Sequence, residues 1–219
     1  MVILATKIYG NQERRAQQSL ESMLQDEFDD LVVEYEIGVR HDGFPSVTLS
    51  GEDAVVARNL LRETWGEIPA EPELGETYTG ILEDWSDEGF IVDIGQEVVI
   101  PPEKLELGPG DPKQVAKRFG LVRQLPISFV FDEPASLAEA ERDRLFDWQR
   151  GPGRVNANGV TRGQLRATIN RAGHADDIHT IERLGLLEQS VICLDDTDPP
   201  GLLASIGPYV SSELACVMS

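Results

Sequence analysis

Lysine is nearly missing from this chain. Only Lys7, Lys104, Lys113 and Lys117 occur among 219 residues, and 15 arginines carry the rest of the positive charge. Cysteine is scarcer still. Cys193 and Cys216 each sit in an apolar run ("SVICL", "LACVM"), and no CxxC pair exists. That excludes a zinc ribbon and a disulfide-stapled fold. A bridge between the two would need their strands to pair, and free thiols are the simpler expectation. No apolar stretch reaches the roughly 18 residues a membrane span needs. The opening "MVILATKIYG" has neither a basic leader nor a cleavage site. The reading is a cytoplasmic protein with no membrane contact.

Catalytic signatures are also absent. His41, His174 and His179 are the only histidines. His174 and His179 are five apart, not the four that places two metal ligands on one helical face. "CLDDTD" groups Asp195, Asp196 and Asp198 but lacks the alternation and trailing glutamate of a calcium loop. There is no GxSxG, no P-loop lysine motif and no GxGxxG after a strand. No cofactor, metal or catalytic residue is expected, and the sequence does not read as an enzyme.

What the chain has in excess is acid: 39 Asp and Glu against 19 Lys and Arg, a formal net charge of −20. Such a balance resembles the bias of salt-accumulating halophilic archaea, where carboxylates keep a surface hydrated while repulsion is screened. Basic islands stand out against it. "WQRGPGRVNANGVTRGQLRATINRAGHA", residues 148–175, holds Arg150, Arg154, Arg162, Arg166 and Arg171 and no acid. Residues 112–131 hold Lys113, Lys117, Arg118 and Arg123, again with no acid. These 48 residues contain nine of the 19 bases. Arginine forks suit phosphate, and the asparagines and glycines of "GPGRVNANG" suggest a flexible segment that moulds to a nucleic-acid backbone. The nine bases are therefore candidate nucleic-acid contacts. The competing reading is a patch that docks on the protein's own acidic surfaces or on an acidic partner protein.

The pattern of elements predicts an α+β fold in three parts. Residues 1–72 read as strand, helix, strand, strand, helix, with Asn11 and Ser50 as caps. Residues 73–133 are short strands punctuated by Gly and Pro, suggesting a small barrel. Residues 134–219 predict a helix capped at Ser136, a helical hairpin "TRGQLRATINRAG–HADDIHTIERLG" started by Thr161, and short strands. The hairpin's spacing resembles a helix-turn-helix. Its second helix would carry Asp176, Asp177 and Glu182 against Arg183, a net negative charge poorly suited to reading duplex DNA.

"GILEDWSDEGFIVDIG" resembles the ribosomal S-one RNA-binding domain, a five-stranded OB barrel, at Gly80, Leu82, Asp87, Gly89, Val92, Asp93, Ile94 and Gly95. The resemblance implies an OB-like central barrel and RNA as a ligand. It departs at the base-stacking positions, where Glu88 and Ile91 replace aromatics, with Phe90 between them. The whole chain, with "KRFGLVRQLPI" and "RLGLLEQSVICLDDTDPPGLLASIG", also resembles an uncharacterised archaeal protein family with no assigned activity. Together these imply a non-catalytic protein that binds structured RNA or the ribosome. The alternative is an interaction adaptor of the transcription or another information-processing machinery.

Overall fold

The computed structural model describes residues 1–218. Three antiparallel sheets organise an α+β fold. The first unit keeps the expected order: β1 (Val2–Ile3), α1 (Glu13–Glu27), β2 (Glu34–Val39), β3 (Pro45–Ser50) and α2 (Ala54–Trp65). Its sheet runs β1-β3-β2. α1 buries Ala16, Leu20 and Leu24, and α2 buries Ala57, Leu61 and Trp65, each set at helical spacing on one face. The caps differ from expectation. Ser50 ends β3, and Asp53 holds the cap position of α2 while its carboxylate accepts from the Val32 N–H at 2.8 Å. Asn11 lies in a short 3₁₀ turn, and Gln12 precedes α1.

The central unit comprises β4 (Thr77–Ser86), β5 (Gly89–Asp93), β6 (Glu97–Ile100), α3 (Pro102–Leu105), α4 (Pro112–Arg118), β7 (Leu125–Val130), β8 (Ser136–Leu137) and α5 (Glu139–Arg150). The expected barrel is not formed. The strands pair in the order β6-β5-β4-β7-β8, and β6 and β8 remain open edges. Val115, Ala116 and Phe119, in and just after α4, and Leu145 and Trp148 of α5 enter the core of this sheet. Helices thus cover apolar surface that strand closure would otherwise bury. Gly89 is required at the β4–β5 hairpin: φ is 134°, and a Cβ there would stand 2.0 Å from the Ile100 carbonyl oxygen. Ser136 pairs in β8 rather than capping α5.

The third unit contains β9 (Arg154–Ala157), α6 (Arg162–Arg171), β10 (Ile178–Arg183), β11 (Gln189–Cys193), α7 (Pro199–Ile206) and β12 (Leu214–Val217). Its sheet runs β10-β11-β9-β12. Two expectations fail here. "RVNA" is not flexible: it is β9, an interior strand with all four residues buried. The second helix of the hairpin is strand β10, so there is no helix-turn-helix. Ile178 and Ile181, three apart, are both buried because the register with β11 shifts between Ile178 and Thr180. A bulge adds one residue to the two-residue repeat of a strand, which imitates the three-residue step of a helix.

The units share apolar cores. Leu186 and Leu187, in the β10–β11 turn, pack into the first unit, while Ala5, Phe44 and Ile68 pack into the central one. Ion pairs reinforce the joints. Lys7, 7 % exposed, reaches Glu83 on β4 at 2.6 Å and Asp93 on β5 at 2.5 Å. No helix among the described residues is long and apolar enough to cross a membrane.

Candidate nucleic-acid interface

The nine bases of the two acid-free runs divide into three kinds. Arg154 is buried, 8 % exposed. Its Nη1 donates to Glu182 Oε2 and Ser190 Oγ, both at 3.3 Å, and its guanidinium lies 4.7 Å from the centre of the Trp148 ring. Burial lowers its pKa, and the Glu182 charge opposes that shift. Arg118 is a loop clamp, donating to the Leu107 and Pro109 carbonyls at 2.7 Å each. Arg123 is a joint. It donates to Asp84 at 2.8 Å and to Glu213 at 2.9 Å, and it covers the Trp85 ring at 4.7 Å. These three side chains are occupied within the fold.

Arg150 is exposed and loosely paired with Asp147 at 3.5 Å. Lys113, Lys117, Arg162 and Arg171 are exposed and Arg166 is half-buried. None of these last five has a carboxylate within ion-pairing distance among the described residues.

The two runs touch through their interiors. Asn156 Nδ2 donates to the Gly120 carbonyl at 2.8 Å, and Asn158 Nδ2 donates to the Arg123 carbonyl at 2.9 Å. Their exposed bases do not converge. α6 packs near β10 and α4 near β12, the opposite edges of the third sheet. Three strand spacings, roughly 14 Å, separate those edges.

α6 forms because Thr161 and Gln164 build a reciprocal capping box, as expected for Thr161, and because Leu165 and Ile169 face the sheet. Arg162 and Arg166 then stand one turn apart on the outer side, with Arg171 on a different side. Three further arginines, missed in the sequence because acids adjoin them, lie close by. Gln164 Nε2 donates to Gln12 Oε1 at 3.2 Å, which brings exposed Arg14 and Arg15 beside the start of α6. Arg183 ends β10 and stacks 4.5 Å above Trp65. Burial lowers its pKa; Glu27 opposes that, and the Arg162 charge adds to it. Glu13 is the acid in the first turn of α1.

The S-one-like strands offer no stacking platform: Phe90 is fully buried, Trp85 lies under Arg123, and Asp93 is engaged by Lys7.

The fold also assembles a trio that no motif announces. His174 Nδ1 is 2.6 Å from Asp177 Oδ2, and His174 Nε2 is 2.7 Å from Ser205 Oγ. This is the contact order of a serine-hydrolase triad. Its surroundings oppose acyl transfer. Asp176, Asp196 and Asp198 line the adjoining hollow of about 400 Å³ and would repel an oxyanion. The Gly201 N–H at its edge already donates to Asp198 at 2.9 Å. The trio ties α7 to the α6–β10 connection. No group of three or more His, Cys, Asp or Glu side chains among the described residues could hold a metal ion.

Three family models cover the chain almost end to end: the DUF2110 N-terminal domain at residues 1–71, the central domain at 72–149 and the C-terminal domain at 152–218. This chain belongs to the DUF2110 family. No curated protein matches it. In these terms the buried Arg154 and the exposed α6 belong to the DUF2110 C-terminal domain, and α5 and Arg150 lie at the end of the region before it.

Proposed function

We propose that this DUF2110 protein is a non-catalytic RNA-binding protein that holds the phosphate backbone of structured RNA against α6. The supporting observation is the set of arginines with no ion-pair partner among the described residues in a chain of net charge −20: Arg162, Arg166 and Arg171 on α6, joined by Arg183 and by Arg14 and Arg15 of α1. Guanidinium forks one helical turn apart suit phosphate oxygens. On this reading the S-one-like strands serve as scaffold. The acid-rich, lysine-poor composition accords with an archaeal cytoplasm, and ribosomal or other translation-linked RNA is the partner class.

Binding to a structured RNA, followed by fluorescence anisotropy across a salt series, tests the proposal. Three phosphate contacts give a slope of about −2 to −3 in log affinity against log salt. Arg162→Glu with Arg166→Glu lowers affinity at least ~10-fold, by removing two contacts and adding repulsion. Lys113→Glu with Lys117→Glu leaves it unchanged. Absence of binding at every salt concentration where the protein is folded refutes the proposal. So does a double α6 variant that binds as tightly as the parent.

A further inference from the structure

A hollow of about 600 Å³ runs along the outer side of β12. Leu203 of α7 with Leu214, Cys216 and Met218 makes it apolar, and Lys117 and Arg118 of α4 form its far rim. Among the described residues its lining contains no carboxylate side chain, in a chain with 39 Asp and Glu.

Among the described residues β12 is an edge strand, paired with β9 alone. The register fixes which backbone groups face outward. Asn158 N–H donates to the Glu213 carbonyl, and the pairs continue as Leu214 with Ala157, Ala215 with Asn156 and Cys216 with Val155. Hydrogen-bonded and non-hydrogen-bonded pairs alternate in an antiparallel ladder. Leu214 and Cys216 therefore turn their N–H and C=O away from β9. No backbone hydrogen bond from outside the sheet reaches either residue among the described residues. Leu214, Ala215 and Cys216 line the hollow consecutively. A strand's face would contribute alternate residues, so the floor is the strand edge itself.

We infer that this hollow docks a short extended segment of a partner protein, apolar at alternate positions and acidic between them, which adds as a strand to β12. Main-chain bonds to Leu214 and Cys216 give the pairing, as in other strand additions. Leu203, Leu214 and Met218 take the apolar side chains. Lys117 and Lys113, exposed, one turn apart on α4 and without an ion-pair partner among the described residues, select the acidic ones. Met218, 68 % exposed, is the residue such a segment would cover most. The site is independent of α6, at the other edge of the sheet.

The test uses the full chain, labelled with ¹⁵N, and an octapeptide alternating leucine with glutamate. Its leucine–lysine counterpart and a version N-methylated at alternate amides serve as comparisons. The expected result is shifts in the amides of Leu214–Met218 and α4 with the acidic peptide. Affinity falls at least tenfold on N-methylation, and Lys113→Glu with Lys117→Glu inverts the charge preference. Four outcomes overturn the inference. One is no shift in these amides at ~1 mM peptide. Another is equal binding of the two charge types. The third is concentration-dependent broadening of the β12 amides without peptide, which would make a second copy of the chain the occupant. RNA affinity is unchanged by saturating peptide; competition would place both ligands on one surface and also overturn it.

Discussion

Glu188 offers the sharpest physical test of how the units are joined. Its side chain is fully buried at the meeting of the first and third units. Tyr9 Oη donates to Glu188 Oε1 at 2.6 Å, and the Leu187 N–H donates to Oε2 at 3.3 Å. Tyr9 Oη itself accepts from the Gly159 N–H at 2.7 Å. Burial pushes the Glu188 carboxyl from 4.5 up to about 8, against the opposing effect of those hydrogen bonds. The folded protein therefore keeps Glu188 protonated where the unfolded chain has already ionised it. Its contribution to stability is complete below pH 4.5 and is lost progressively as pH rises to about 8. Each pH unit carries ~1.4 kcal/mol, so the loss is on the order of 3–5 kcal/mol. Glu188→Gln keeps an acceptor for Tyr9 and cannot ionise. Relative to the parent it gains stability between pH 5 and pH 8, by ~10 °C in melting temperature at about 2–4 °C per kcal/mol for a chain of this size. Calorimetry of both proteins at fixed ionic strength checks this, and their difference cancels the titration of the other acids. A difference that stays constant across this range, or one that favours the parent as pH rises, refutes the reasoning.

Lys7→Met removes the buried ammonium that two carboxylates share with the Phe44 ring at 4.9 Å. A cost of about 3 kcal/mol is expected from the stranded carboxylates, moderated because Glu83 is partly exposed; an unchanged urea midpoint would contradict it. Gly89→Ala forces a Cβ against the Ile100 carbonyl oxygen, whereas Gly75→Ala meets open space at φ 84°. Gly89→Ala should lower the melting temperature well beyond the ~1 kcal/mol strain of the Gly75 variant, and equal losses would argue against that contact. Cys193 and Cys216 stay reduced, because their strands flank β9 on opposite sides, roughly 10 Å apart, beyond disulfide reach. Burial raises both thiols, Cys193 up to about 11, and Cys216 is the less buried, so Cys216 is modified first in the native protein. Ready formation of an intramolecular crosslink on mild oxidation would contradict this geometry.

Local signals were legible in the sequence where one element met one rule. Thr161 and Gln164 form the capping box that "TRGQ" announces, and the helical stripes of α1 and α2 face their sheet. Legibility failed where tertiary pairing overrode local pattern. "GPGRVNANG" has the glycine and asparagine content of a loop, yet Val155 and Ala157 are apolar at alternate positions, and pairing with β11 and β12 makes the segment interior. Ile178 and Ile181 read as helical because a bulge hides the strand period. The barrel was expected from short strands and glycines, which cannot reveal that α4 and α5 cover the sheet. At the candidate site, Arg162 and Arg166 stood out in the sequence. Arg14, Arg15 and Arg183 did not, because Glu13 and Glu182 beside them mask a cluster that only the fold assembles.

The acid-free runs have a physical cause that precedes any partner. In a chain where roughly one residue in six is acidic, carboxylates are tolerated at almost any exposed position, and they are disfavoured where burial would strip their water. Residues 112–131 include β7, between β4 and β8, and residues 148–175 include β9, between β11 and β12. Acids are missing from both because both cross the interior. Arginine persists there because its planar fork can be held by carbonyls, as Arg118 is, or by stacking, a hydroxyl and a carboxylate reaching in from a neighbouring strand, as Arg154 is. A gap in an acidic background therefore marks desolvation first. Only the parts of such a gap that return to the surface, α6 and α4, need a second explanation. Among the described residues Arg162, Arg166, Arg171, Lys113 and Lys117 are exposed or half-buried and lack ion-pair partners, which burial does not account for and a ligand for each face would.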